Sequence, residues 1–101
     1  MFIYNVTVHI THDIEDAWLA WQKEIHIPAV MQTGCFEKFQ FVQLLETDDP
    51  EGSTYATQFY AESKALYNRY IEKFAPSLRK DALDKWGNKF VAFRSLMQVV
   101  D

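Results

Sequence analysis

The chain is poor in cysteine, in basic residues and in long apolar runs, and each shortage excludes a class of protein. Cys35 is the only cysteine among 101 residues, so neither an intrachain disulfide framework nor a cysteine-based zinc site can form. Ten lysines and arginines stand against 14 acidic residues, a net charge of −4, and no basic cluster is present. A nucleic-acid partner and an anionic membrane surface both require such a cluster, so we expect neither.

No stretch approaches the roughly 20 consecutive apolar residues that a membrane-spanning helix needs. The apolar pattern begins at Phe2, without the basic stretch and cleavable apolar segment of a secretory signal peptide. We therefore expect a cytoplasmic protein. Hydrophobic residues make up 49% of the chain and aromatic residues 16%, which is typical of an ordered globular protein. Its length predicts a single domain spanning residues 1–101.

Four segments alternate apolar and polar residues, which is the period of a β-strand. In the first of them Tyr4 and Val6 point one way, while Asn5 and Thr7 point the other. The turn between the second and third segments is rich in short polar residues and contains a proline and a glycine, so these two strands form a hairpin. The predicted strands cover residues 2–10, 36–46, 54–61 and 90–100.

Two helical regions separate these strands. The first is predicted from about residue 13 to residue 27, where Pro28 removes a backbone donor and crowds the preceding turn, so that the helix kinks or stops. On a helical wheel Trp18, Trp21 and Ile25 share its apolar arc, and His26 lies at the border of that arc. The second begins near residue 63, is interrupted by Pro76 and stops at Gly87.

The predicted element order is β-α-β-β-α-β, the ferredoxin-like plan of the α+β class: a four-stranded antiparallel sheet with both helices on one face. Both faces of the strands carry apolar or aromatic residues, but the helices can cover only one. An uncovered apolar sheet face needs a partner. We therefore expect a homodimer formed through the open face of the sheet.

The segments Met1–Val8, His26-Ile27-Pro28 and Thr33–Phe36 resemble those of short bacterial proteins in the family called domain of unknown function 4286. Residues 75–79 and 87–94 extend the resemblance over essentially the whole chain. It implies the dimeric α+β barrel fold and supplies no activity. More distantly, residues 24–28 resemble the Glu-x-His-x-Pro helix ending of EthD-like members of that superfamily, to which antibiotic-monooxygenase-like proteins also belong.

His26 is the strongest candidate for catalysis, because imidazole titrates near neutral pH and the edge of a core can meet both a pocket and solvent. The alternative is a histidine that caps the end of its helix or bonds a carbonyl near Pro28. Asn5 is the second candidate and could orient a ligand oxygen. Asn5 and His9, with Gln58 on the third strand, could supply polar groups inside the sheet. Equally, Asn5, Thr7 and His9 could simply face a wet dimer groove.

Four further residues are candidates for binding a ligand together with Gln58. Trp18 and Trp21 could form the wall of an aromatic cavity, or could simply be core residues. Tyr4, on the first strand, is a further candidate for binding the ligand. Arg79, like Arg94, could bind an anionic ligand, although pairing with a surface carboxylate such as that of Asp81 or Glu72 is the plainer explanation.

We predict no metal site and no cofactor. His9, His12, Glu24 and His26 include enough donors for a two-histidine, one-carboxylate site, but their spacing fits no helical metal motif. A haem-degrading relative would be expected to carry a histidine in its second helix, and no histidine follows His26.

Two functions therefore stay open. The first is a dimer that binds a small aromatic or hydrophobic ligand between sheet and helices. The alternative is a small cofactor-independent enzyme, monooxygenase-like or isomerase-like, with His26 as acid and base.

Overall fold

The computed structural model describes residues 1–101 and contains one four-stranded sheet. Its strands are β1 (Phe2–Thr11), β2 (Lys38–Leu44), β3 (Gly52–Ala61) and β4 (Phe90–Gln98). They are arranged in the order β2-β3-β1-β4, and every neighbouring pair is antiparallel. The predicted ferredoxin-like α+β fold is confirmed.

The register of the strands assigns each side chain to one of two faces, because directly opposed residues in an antiparallel pair share a face. Tyr4 is opposite Phe59 on β3, and both are buried; we call this side the covered face. Asn5 is opposite Gln58 and Ser95 on the other side, which we call the open face.

The first helical region is longer than predicted and spans residues 12–31. A 3-10 turn leads into α1 (Glu15–Trp21), a π-helical turn covers Gln22–His26, and α2 (Ile27–Met31) follows. Within the π turn the amide of Ile27 donates to the carbonyl of Gln22, five residues earlier. Of the two predicted effects of Pro28, a kink or a stop, the stop is wrong, because Pro28 falls in the first turn of α2, where a proline is tolerated.

The π turn also changes which side chains face the sheet. Ile25, predicted on the apolar arc, is 58% exposed, whereas Gln22 is only 6% exposed. A π turn holds more residues than an α-helical turn, so an arc drawn at a constant 100° per residue loses its phase across it. The predicted inward position of Ile25 is therefore wrong.

The second helical region is broken as predicted into α3 (Lys64–Lys73) and α4 (Ala75–Trp86). The hydroxyl of Ser63 accepts a hydrogen bond from the amide of Leu66 and caps α3. Pro76 lies in the first turn of α4, and Gly87 follows its last residue with a φ of 59°. Glycine adopts this left-handed conformation without strain.

The covered face carries two clusters of buried side chains. One includes Tyr4 on β1, Ile27 and Val30 on α2, and Tyr70 on α3. The other joins the two tryptophans of α1 to the far end of β1 and to β3: Val8, Ile10, Trp18, Trp21 and Tyr55. None of the helices is both long and apolar enough to cross a membrane.

Candidate functional site

A cavity of about 50 Å³ lies between the covered face and the helices, and we call it the inner cavity. Its walls come from β1, β3, β4, α1, the π turn, α2, α3 and α4, and 13 of its 18 lining residues are hydrophobic. Such a volume holds a few water-sized groups, less than the roughly 300 Å³ that encloses a drug-sized molecule.

Five of the seven predicted site residues line this cavity: Tyr4, Trp18, Trp21, His26 and Arg79. Trp18 is 2% exposed and Trp21 is 7% exposed, so each is at once a core residue and a cavity wall. Arg79 lies on α4 and its Nη2 atom donates to the hydroxyl of Tyr4 at 3.1 Å. The two interpretations of the tryptophans, core and pocket wall, therefore do not exclude each other.

Asn5 and Gln58 lie elsewhere. They are directly opposed on β1 and β3, on the open face, and neither lines the inner cavity. Asn5 donates to the hydroxyl of Thr7 at 2.9 Å, and Gln58 accepts from the hydroxyl of Tyr60 at 3.4 Å. Within one chain the sheet separates both residues from His26, so the structure does not bring the predicted pair of His26 and Asn5 together.

His26 ends the π turn and does not end the helix, which continues to Met31. The predicted alternative that His26 caps the end of its helix therefore does not apply. Its imidazole stacks on the indole of Trp21, with 4.8 Å between the ring centroids and 22° between the planes. Burial and the positive charge of Arg94 lower the pKa of His26 to about 4, against the opposing effect of Asp81. At neutral pH the side chain is uncharged and able to accept a proton.

Two buried polar atoms in the lining have no hydrogen-bond partner: Oε1 of Gln22 and Nε1 of Trp86. One is an acceptor and the other a donor, and leaving either unpaired is costly in a protein interior. Sequence reasoning missed both residues. Gln22 follows Trp18 by four residues and therefore shares its helix face, but its polar side chain did not mark it as an inward residue. Trp86 gave no signal beyond its place at the end of α4.

Arg79 and Arg94 add two positive charges to the lining. The expected pairing of these arginines with surface carboxylates is absent, since none of the four salt bridges includes either residue. Tyr70 also lines the cavity, and its burial raises the pKa of its hydroxyl above the ordinary range, although both arginines oppose that change.

The histidines considered as metal ligands are dispersed. The Nε2 atom of His9 lies 2.9 Å from a carboxylate oxygen of Asp49, and His12 pairs with Glu15 at the start of α1. No group of three or more histidine, cysteine, aspartate or glutamate side chains is placed to hold a metal ion.

Comparison with known sequences identifies the family. The sequence pattern of the family described as domain of unknown function (DUF4286) matches residues 1–100. The chain belongs to this family. The predicted family membership is thereby confirmed, and the family's description assigns no activity. A search among curated proteins found no significant match.

Solved structures share the fold at low sequence identity. An EthD family protein from Bacillus halodurans is 10% identical, with a TM-score of 0.68 and coverage of 99% of this chain and 100% of that one. A dimeric ferredoxin-like protein from an uncultured marine organism is 13% identical, with a TM-score of 0.68 and coverage of 99% and 96%. SnoaB, a cofactor-independent oxygenase from Streptomyces nogalater, is 12% identical, with a TM-score of 0.61 and coverage of 99% and 94%.

Proposed function

We propose that this DUF4286 protein binds a small, largely apolar molecule in the inner cavity. The observation that carries the proposal is the pair of unpartnered polar atoms, Gln22 Oε1 and Trp86 Nε1, in an otherwise mostly hydrophobic lining. Binding sites for small molecules combine apolar walls with a few oriented polar groups. A packed structural core, in contrast, pairs its buried polar atoms.

The volume of about 50 Å³ requires that the ligand be small or that the walls move when it enters. The π turn is the segment suited to such movement, since π-helical turns interrupt regular α-helical bonding and occur often at functional sites. It contributes both Gln22 and His26 to the lining.

A thermal-shift screen of small aromatic compounds tests the proposal on wild type and on an Ala82→Leu variant. Ala82 lines the cavity on α4, so the larger side chain should fill the space and abolish any melting shift. Ala65→Leu is the matched control, because Ala65 is exposed on α3 and its replacement should leave the shift intact. Equal shifts in wild type and Ala82→Leu would place the ligand elsewhere.

A second function is favoured by the state of His26. An uncharged imidazole in the cavity can take a proton from an acidic C–H or O–H group of a ligand, as in an isomerase-like or cofactor-independent oxygenase-like reaction. The fold that the chain shares with the oxygenase SnoaB is compatible with this chemistry. The other predicted catalytic residue, Asn5, lies on the open face, so the sheet separates it from this site in one chain and in a dimer formed through that face.

His26→Gln separates binding from catalysis. If His26 is the base, the variant should keep the ligand-induced melting shift and lose turnover, measured as oxygen uptake or product formation with hydroxylated aromatics. The wild-type rate should fall as the pH approaches about 4, where the imidazole becomes protonated. Turnover that survives in the variant would eliminate His26 as the base.

We further propose that the open face packs against the same face of a second copy. Five of its apolar side chains are substantially exposed: Val42, Leu44, Val91, Phe93 and Met97. Exposed apolar surface of this extent is typical of an interface, and a second copy supplies a matching sheet. Sedimentation at micromolar concentration should give twice the mass of one chain, and a stable monomer would contradict the proposal.

A further inference from the structure

The lining of the inner cavity carries positive charge that no anion of the chain neutralises. Arg79 and Arg94 form no salt bridge, although both line the cavity. The Nη2 atom of Arg79 donates to the Tyr4 hydroxyl, a neutral acceptor, at 3.1 Å. Guanidinium groups in binding sites pair preferentially with carboxylate or phosphate oxygens through two parallel hydrogen bonds. Both arginines are exposed to solvent as well as lining the cavity, so their guanidinium groups are open to an anionic ligand that enters it.

The two unpartnered atoms limit the chemistry of a ligand that would suit this cavity. The indole Nε1–H of Trp86 is a donor without an acceptor and can bind a negatively charged oxygen. The Oε1 atom of Gln22 lies on a side chain that is 94% buried and needs a donor. A ligand that presents an oxyanion and a hydroxyl or bound water would satisfy both atoms.

We propose that the inner cavity binds a small organic acid, whose carboxylate is held by Arg94, Arg79 and the Nε1–H of Trp86. The apolar part of the acid lies against the walls formed by the tryptophans of α1 and the strand residues below them. This inference rests on the proposed function, since it names the class of ligand for the same cavity. A carboxylate is a small group that carries the negative charge these donors can bind.

The other charged and titratable groups near the cavity agree with an anionic ligand. His26 and Tyr70 are both uncharged at neutral pH, because burial lowers the pKa of the first to about 4 and raises the pKa of the second. Neither then repels a carboxylate or neutralises the arginines. Asp81 is the one carboxylate that acts on His26, and it is exposed on α4, outside the lining.

Benzoate and benzamide are the probes that test the charge, because they match in size and shape and differ in the anionic group. Isothermal titration calorimetry at neutral pH should show about tenfold tighter binding of benzoate, the ratio expected for one charge-assisted hydrogen bond over a neutral one. Arg94→Gln and Arg79→Gln should each remove most of that preference. Arg69→Gln is the matched control, since Arg69 is exposed on α3 and outside the lining.

The indole N–H resonances of the three tryptophans locate the bound acid. Benzoate should move the Trp86 resonance downfield as its N–H acquires an acceptor, with smaller changes at Trp18 and Trp21. Acetate, which has the carboxylate without the ring, should move the same resonance at higher concentration. Each resonance is assigned by the corresponding tryptophan-to-phenylalanine variant.

Two results would overturn the inference and remain distinguishable from failure of the proposed function. Equal binding of benzoate and benzamide would refute the acid and leave ligand binding in the cavity intact. Failure of benzoate and acetate to bind or to move the Trp86 resonance would mean that water alone satisfies the unpartnered atoms. If the aromatic screen with Ala82→Leu also finds no ligand in the cavity, the proposed function falls as well.

Discussion

The two faces of the sheet contrast although the same strands build both. On the covered face Tyr4, Phe59 and Tyr55 are each at most 7% exposed, and the helices above them enclose the inner cavity. On the open face Phe93 is 64% exposed, and polar residues such as Asn5 and Gln58 lie between the apolar ones. A single strand thus contributes a packed wall to one side and a partly apolar surface to the other.

Burial of the side chains on each face therefore depends on whether the helices cover that face and not on the residue composition of the strands. The covered face loses its apolar surface to the chain's own helices, so substitutions there should change the stability of one chain. Substitutions on the open face should change association instead. Substitutions on the two faces test this division between the stability of one chain and its association.

Trp21→Ala on the covered face should lower the free energy of unfolding by about 3–5 kcal/mol, because truncating a buried aromatic residue leaves a cavity that its neighbours fill only in part. Trp21 packs edge-on against Trp86, with 5.8 Å between the ring centroids, and stacks on His26. Denaturant unfolding gives the value. A loss below about 1 kcal/mol would show that the helix layer does not seal the covered face.

Acidification should weaken the covered face through His26. Its pKa in the folded chain, about 4, lies below the ordinary 6.5, so the unfolded chain binds this proton first as the pH falls. The stabilisation is complete above about 6.5 and disappears as the pH falls toward 4. We expect the free energy of unfolding to fall by about 2 kcal/mol between about pH 7 and pH 5, and by less to the extent that solvent reaches the imidazole.

His26→Gln removes the titrating group and should flatten the unfolding free energy over the same pH range. An internal control comes from Glu15, whose carboxylate pKa is lowered chiefly by the hydrogen bond from Tyr55 and remains so in both proteins. The contribution of Glu15 to the free energy of unfolding is lost only below about pH 4.5. Wild type and variant should therefore both become less stable below that pH. Identical slopes between pH 7 and pH 5 would refute burial of the imidazole.

Phe93→Lys on the open face should produce the smallest change in the stability of one chain, below about 1 kcal/mol, because an exposed side chain loses little packing. It should nevertheless convert the proposed dimer to a monomer in sedimentation experiments, since a charge buried in an apolar interface is costly. Leu83→Lys is the matched control: Leu83 is 59% exposed on α4 and should leave the dimer intact. If both variants and wild type sediment with equal mass, the open face is not the surface through which the chains associate.

The strands and their arrangement could be predicted from the sequence because alternation is a local property. The structure confirms the first and last predicted strands to within two residues at each end, as Phe2–Thr11 and Phe90–Gln98. The break between α3 and α4 followed equally from Pro76. Both signals are local, because alternation concerns neighbouring residues of one strand and a proline restricts its own backbone. No tertiary information was needed to use them.

The course of the first helical region could not be predicted, because it depends on a π turn that no local pattern announces. A constant helical period places Ile25 inward, whereas in the structure Ile25 is 58% exposed. Proline signals were also ambiguous: Pro28 and Pro76 both lie in the first turn of a helical segment, yet only Pro76 marks a break between two helices.

The candidate site was predictable where it depends on large aromatic residues and not where it depends on orientation. Tyr4, Trp18 and Trp21 could be proposed from their strand and helix positions. Trp86 could not, because its unpartnered nitrogen is a property of the packed structure. Asn5 shows the opposite error: alternation placed it on the other side of β1 from Tyr4, but only the assembled sheet shows which side meets the helices.

The π turn also has a consequence for how the gene of such a protein can vary in length. Its five residues connect the buried Trp21 to the buried Ile27, and its exposed members include Lys23 and Glu24. Removing one codon for an exposed member would allow an ordinary α-helical turn to bridge the same two anchors. Such a deletion would keep the two anchors in place and redistribute the side chains between them around the helix. A length change of one residue at this point would therefore alter which side chains lie beside the inner cavity and leave the fold unchanged.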